Sequence, residues 1–195
     1  MMKKLFALAL ALVMVCGVCA VAAGETLIQM PELKMTMTVP DDYIVVSADT
    51  DDNVFTVLGM DKEAVLAAMK AQDTYAIILP GNFDNEINIV MSANDIRSFD
   101  DVTDAQLNLI ATAMDGMFEN MGCQPEKHDL YTGANKYIRT WYNLPQGDAT
   151  THIMQYYTIE NNMGIIFRMY AYTGEPIAAE MENELKQFVD QVVYD

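Results

Sequence analysis

Cationic residues are scarce in this 195-residue chain: 11 Lys and Arg stand against 28 Asp and Glu, for a formal net charge of −17. Phosphate binding needs clustered Lys and Arg, so nucleic acid is excluded as an expected partner, and an anionic lipid surface would repel the protein. Only Arg97, Arg139 and Arg168 could begin a basic patch. Cysteine is nearly as rare. Cys16 and Cys19 fall in the apolar N-terminal stretch, which leaves Cys123 alone and rules out an internal disulfide in the remainder. Histidine occurs twice, as His128 and His152 on separate expected strands, without a Cys or His at ligand spacing. That disfavours zinc. Ser47, Ser92 and Ser98 lie outside any G-x-S-x-G turn, so no activated serine is marked by sequence. No repeat, low-complexity tract or Pro/Ser linker interrupts the chain after Gly24, which reads as one domain.

The N-terminus is more explicit. Met1-Met2-Lys3-Lys4 is a short positive region, Leu5 to Val15 carries no charge, and Ala20-Val21-Ala22-Ala23 offers a small-x-small site before Gly24-Glu25. This is the pattern of a secretory signal peptide over 1–23, cleaved after Ala22 or Ala23, with no stop-transfer charges to make it a membrane anchor. The expected product is a secreted or extracytoplasmic domain over 24–195, not inserted in a membrane once the leader is gone. Discarding the leader removes Lys3 and Lys4 and leaves the remainder more acidic still. Such acidity favours solubility.

Helical period appears three times. Asp61 can cap a helix running to Ala71, with Val65, Leu66 and Met69 on one side. Thr103 with Gln106 forms a capping box ahead of a stripe of Leu107, Ile110, Met114, Met117, Phe118 and Met121, and Gly122 supplies the stop. Pro176 suits a first helical position before Ile177, Met181, Leu185, Phe188, Val189 and Val192. Between these stretches the chemistry is that of strands: 35–39, 43–47, 75–79, 86–91, 127–131, 136–143, 151–159 and 165–172. The connections are too short for parallel crossovers, which predicts an α+β fold with a mostly antiparallel sheet flanked by about three helices.

The run Lys34-Met35-Thr36-Met37-Thr38-Val39 into Pro40-Asp41-Asp42-Tyr43, the central helix, the antiparallel strands and the closing helix together resemble the PsbP/Mog1-type α/β/α sandwich. More narrowly, they resemble small exported proteins of that type in Firmicutes. The resemblance covers most of the chain as an order of elements, and its one local motif is Val-Pro followed by an aromatic. It implies the sandwich fold. It places no functional residue on this sequence, because fold does not carry function.

Several chemistries can be weighed on the residues themselves. Cys123 and His128 form the one nearby thiol and imidazole pair, but Cys123 follows a helix C-terminus, whose negative end disfavours a thiolate. Asp49-Thr50-Asp51-Asp52-Asn53 begins like a calcium loop and then places Val54 at the turn glycine and Met60 at the bidentate Glu. Asp100, Asp101 and Asp104 suit a helix start. The 16 methionines include Met30, Met35 and Met37, a conceivable copper(I) set, yet most follow core faces and act as packing. No metal site and no cofactor is expected.

The strongest binding signal is aromatic. Trp141, Tyr156, Tyr170 and Tyr172 accompany His152 and Arg168 on the late strands, and these six are the candidate ligand-binding residues. A three-residue loop at Asn162-Met163-Gly164 sets His152, Met154 and Tyr156 on one face with Arg168, Tyr170 and Tyr172; a two-residue turn at Asn161-Asn162 reverses those partners. The expected function is an exported, non-enzymatic binding or accessory protein for a protein, peptide or glycan ligand. The alternatives are a secreted hydrolase with carboxylates paired in space, and a weak calcium-responsive surface module.

Overall fold

The computed structural model describes residues 25–194 with the exception of residue 82; the expected leader lies outside them. The chain opens with β1 (Glu25–Met30), a single 3-10 turn at Pro31–Leu33, and β2 (Met35–Pro40). Lys34 closes that turn in a left-handed conformation, φ 47°, which returns the chain so that β1 and β2 pair antiparallel from Glu25↔Pro40 to Met30↔Met35. A two-residue strand near the end, β10 (Val193–Tyr194), pairs with the other edge of β2 and completes a three-stranded sheet. Sequence reasoning began the first strand at Met35 and missed both flanking strands.

The main sheet has seven strands: β3 (Tyr43–Ser47), β4 (Thr74–Pro80), β5 (Asn85–Ala93), β6 (Gln124–Thr132), β7 (Lys136–Gln146), β8 (Ala149–Glu160) and β9 (Met163–Ala171). Their spatial order is β3-β4-β5-β9-β8-β7-β6, with every neighbour pair antiparallel. Among the described residues, four α-helices accompany it: α1 (Asp52–Val57), α2 (Lys62–Ala71), α3 (Asp104–Asn120) and α4 (Ala179–Asp190). The expected α+β architecture, mostly antiparallel, is the observed one.

α1 occupies the segment that begins like a calcium loop. Asp51 caps it by accepting a hydrogen bond from the Asn53 backbone N–H at 2.8 Å, and Lys62 Nζ bonds Asp52 Oδ1 at 2.5 Å. Those two acids serve a helix start, where carboxylates meet orphan N–H groups. α3 carries the expected capping box: Gln106 Oε1 accepts from the Thr103 N–H at 3.0 Å, and Thr103 Oγ1 accepts from the Gln106 N–H at 3.4 Å.

Two details of the helices depart from expectation. Met117 and Met121 are about half exposed, at 49% and 51%, because the seam of α3 that meets the sheet runs through Leu107, Ala111 and Phe118, flanked by Ile110 and Met114. Pro176 precedes the final helix instead of starting it. The chain stays extended through Ala178 at ψ 156°, with Ile177 packed against the core, and α4 begins at Ala179.

The two faces of the main sheet are covered differently. One face meets α4 and the three-stranded sheet, where Met35, Met37, Val39, Ile78, Ile87, Ile89, Phe167, Met169, Leu185 and Val189 form the principal core. The methionines of β2 therefore pack as core, pointing the same way by strand alternation. On the opposite face, α1 and α2 cover β3 and β4 through Phe55, Leu58, Val65 and Met69. α3 covers β6 and β7 at the far end. Between these two helix groups run the outward-facing side chains of β5 and β9, bordered by β8.

Candidate functional site

The registers fix which side chains line that strip, where Glu86, Asn88, Gln155 and Tyr170 are buried and Arg168 is half-buried. Ile77 of β4 pairs with Asn88, Asn88 with Arg168, Arg168 with Gln155, Gln155 with Thr140 and Thr140 with His128. These residues form one row across the sheet. The next row towards one end holds Glu86, Tyr170, Ile153 and Tyr142, and on the other side lie Val90, Ile166, Tyr157 and Ile138. Ile77 at one end of the central row packs beneath α1 and α2, and His128 at the other end bonds Asp115 of α3. The middle of the row, Asn88-Arg168-Gln155, is polar and lies in the trough between α2 and α3.

Arg168 is the centre of a hydrogen-bonded group. Its Nε donates to Gln155 Oε1 at 2.9 Å and its Nη1 to the Tyr170 hydroxyl at 3.3 Å. Gln155 Oε1 also accepts from the Tyr142 hydroxyl at 3.3 Å. Tyr172 donates to Glu86 Oε2 at 3.1 Å, and the Tyr170 and Tyr172 rings stack almost parallel, 4° apart in plane, with centroids at 6.4 Å. Among the described residues, Arg168 forms no ion pair, whereas Arg97 holds Asp101 through Nε and Nη2 and Arg139 holds Asp129 in the same two-point manner. Buried polar atoms in the same row also lack partners: Asn88 Oδ1, Gln155 Nε2 and Thr140 Oγ1. A buried polar atom left unpaired forfeits its hydration without compensation, so each of these three carries that cost.

Burial shapes the ionisation of the group. The Glu86 carboxyl is pushed above its ordinary range by loss of water, partly opposed by hydrogen bonds with Asn88 and Tyr172. Tyr142 and Tyr172 are raised by the same burial. Cys123, beneath the end of α3, is raised by burial while the charge of Arg168 pulls the other way. A buried thiol held upward is a weak nucleophile. His128 bonds Asp115 Oδ2 through Nδ1 at 2.7 Å, tying β6 to α3.

Of the six candidate residues, the structure brings Arg168, Tyr170 and Tyr172 together in this trough. It separates Trp141, His152 and Tyr156 from them by the thickness of the sheet. The cause is the turn between β8 and β9: Asn161 and Asn162, at φ 53° and 63°, form a two-residue loop with Glu160 opposite Met163. Two left-handed residues match the twist of a hairpin, and Asn accepts that conformation. His152 then pairs with Ala171, and Tyr156 with Phe167. The three-residue loop is therefore corrected, and with it the shared face.

On the α4 side, Trp141 donates from Nε1 to Glu182 Oε1 at 2.9 Å, and Lys127 Nζ sits 4.1 Å above its ring centre. Tyr156 is fully buried, edge-on to Tyr131 and Tyr137, with the Arg139 guanidinium 5.8 Å from its ring centre. Burial raises the Tyr156 hydroxyl, and the Tyr137 hydroxyl to about 12. His152 is half-buried near the strand end. This second cluster fastens α4 to the sheet, since Tyr131 also donates to Asp190 Oδ1 at 2.6 Å and Asp190 pairs with Lys186.

Glu86, Asn88 and Gln155 are site residues that sequence reasoning missed. Their signal was present: Glu86 and Asn88 alternate with Ile87 and Ile89, so two polar chains share the face opposite the core. Among the described residues, no group of three or more His, Cys, Asp or Glu is placed to hold a metal ion.

Searches against family models and against curated proteins find no match. Solved structures do match. The solution structure of cyanobacterial PsbP (CyanoP) from Synechocystis sp. PCC 6803 superposes with a TM-score of 0.58 at 10% identity, covering 93% of this chain and 98% of that one. A Pseudomonas aeruginosa protein of unknown function, PA94, matches with a TM-score of 0.42 at 12% identity, over 88% of this chain and 97% of that one. The fold is thus PsbP-like, and the likeness extends to the fold alone. Among the described residues, no helix is long and apolar enough to cross a membrane.

Proposed function

We propose that this protein is an exported, non-enzymatic binding or accessory protein that holds its ligand in the trough between α2 and α3. The leader pattern supports export. The observation that carries the reading is Arg168, a half-buried guanidinium with hydroxyl and amide partners only, in a chain where acids outnumber bases 28 to 11 and where Arg97 and Arg139 each hold an aspartate. Keeping an unpaired cation out of water costs free energy, and convergent polar groups in a concave site are the usual mark of ligand recognition. The neighbouring thiol, raised by burial and below a helix end, adds no nucleophile to this arrangement.

The test is a thermal-shift screen of the purified protein against peptides, glycans and cell-wall fragments, followed by hydrogen-exchange mapping of any compound that raises Tm. Protection on the trough-facing parts of β5, β8 and β9 is expected. Stabilising compounds that protect only other surfaces would overturn this placement of the site.

A further inference from the structure

One face of α3 is open to solvent among the described residues. Ala105, Leu109, Ala113, Met117 and Met121 recur every four positions and are all exposed, Leu109 at 72%. Positions four apart stack into a ridge on a helix, and this one runs about 24 Å. Beside it lies a second row, Asn108, Thr112, Gly116 and Asn120. In that row Asn108 and Thr112 fold back to donate to the Asp104 and Asn108 carbonyls, at 2.8 and 3.0 Å. Neither row holds a charge, in a chain with 28 acids. The acids of α3, Asp104, Asp115 and Glu119, gather on the other flank by the helical period, where Asp115 bonds His128 of β6.

We infer that this face docks a second copy of the chain, with the two α3 helices crossing antiparallel about a two-fold axis near Ala113. Gly116 is the independent sign. A glycine inside a helix costs stability relative to alanine, and here a Cβ would meet nothing within 4 Å, so a single copy gains nothing from the missing side chain. What its absence does allow is the close approach of another backbone. The row is also self-complementary, as a two-fold contact requires. Ala113 and Gly116 lie at the crossing, Leu109 of each copy meets Met117 of the other, and the small Ala105 faces the large Met121. Antiparallel helices set opposite dipole ends together. Charge directs a second copy to this face, since each chain carries −17 and the two rows bring no carboxylate to the contact. A helix face about 24 Å long on a cylinder about 10–12 Å wide hides less than the about 800 Å² per partner of a tight complex, so the dimer forms only at high protein concentration. Docking here requires nothing of the trough.

Sedimentation equilibrium of the purified protein from about 10 µM to about 1 mM should show a reversible rise from the mass of one chain towards two. Gly116→Gln should weaken association about tenfold or more while Tm holds or rises, because glutamine is the better helix former and has open space around it. Leu109→Gln should weaken it about fivefold or more. Val57→Gln, which removes an exposed apolar side chain from α1, should leave it within about twofold. Hydrogen peroxide reads the location, since it converts an accessible thioether to the sulfoxide and leaves as water. Met117 and Met121 should oxidise more slowly at the highest protein concentration than at the lowest. Monomeric behaviour throughout the range would overturn the second copy as occupant. A dimer that survives Gly116→Gln, that suffers as much from Val57→Gln as from Leu109→Gln, or that leaves Met117 and Met121 equally reactive would place the contact elsewhere and sink the assignment of this face. A fall in Tm for Gly116→Gln would show that the glycine serves the packing of one copy, and the inference drawn from its open space would fail.

Discussion

Replacing Arg168 by Met separates a residue kept for ligand recognition from one kept for stability, and Arg139→Met is the internal standard. Arg168 gives two hydrogen bonds to neutral acceptors, at 2.9 and 3.3 Å. Hydrogen bonds involving a charged group contribute about 1.5–3 kcal/mol each. Against them stands the loss of hydration of an unpaired cation, several kcal/mol even after relaxation. Met preserves most of the apolar stem, and Gln155 Oε1 keeps its bond from Tyr142. The expected net change runs from none to about 1 kcal/mol of added stability.

Arg139 differs on each count. It meets Asp129 twice at 2.6 Å and lies 5.2 and 5.1 Å from the ring centres of Tyr131 and Trp141. Breaking a buried pair costs about 3–5 kcal/mol, to be discounted because the Asp129 side chain is 46% exposed, while each ring contact adds about 0.5–1 kcal/mol. Arg139→Met should therefore destabilise by about 2–3 kcal/mol, or roughly 4–12 °C in Tm for a domain of this size. Urea denaturation of the two variants with equal m-values is the assay. A cost for Arg168→Met as large as that for Arg139→Met would show that the trough arginine is a structural tie, and the functional reading of its unpaired charge would fall.

Glu86→Gln should flatten the dependence of stability on pH. Below the ordinary carboxylate value of 4.5 both folded and unfolded chains hold the proton; as pH rises, the unfolded chain releases it first and stability falls until the native carboxyl also ionises. Denaturation curves from pH 4 to 8 check this, and an unchanged slope in the variant would contradict it. Thr103→Ala should cost about 1 kcal/mol by removing the α3 cap, read as a fall of about 2–4 °C in Tm. Gly164→Ala should cost about 1–3 kcal/mol, because the added methyl meets Ser92 Oγ at 3.1 Å and the Tyr157 ring at 3.2 Å. Equilibrium unfolding of that variant at wild-type stability would show that Tyr157 yields freely.

The sheet was legible because its strands are long, β-branched and separated by short polar turns, and the α3 capping box is a local signal that needs no tertiary context. The short elements were not legible. β1, α1 and β10 are stabilised by what they pair or pack with: β1 and β10 take opposite edges of β2, and Phe55 of α1 is buried against α2 and the sheet. A six-residue helix has little stability of its own. Met117 and Met121 were misplaced for a related reason, since a helix rich in apolar residues does not announce which stripe will meet the sheet. The site was half legible. Arg168, Tyr170 and Tyr172 are associated by strand alternation, but their separation from Trp141, His152 and Tyr156 depends on one residue of loop length. A slip of one residue exchanges the faces of a strand, so periodicity alone could not choose.

The strand order has a consequence for how the trough comes into being. Residues 43–93 build one half of the main sheet and residues 124–171 the other, and the two halves meet at a single seam where β5 lies against β9. Glu86 and Asn88 stand on one side of that seam, Arg168 and Gln155 on the other. A pairing so distant along the chain is costly to close and belongs late in folding. A ligand bridging the seam would act as a clasp between the halves, and loosening β5 from β9 would dismantle its cradle while each half kept its own hairpins.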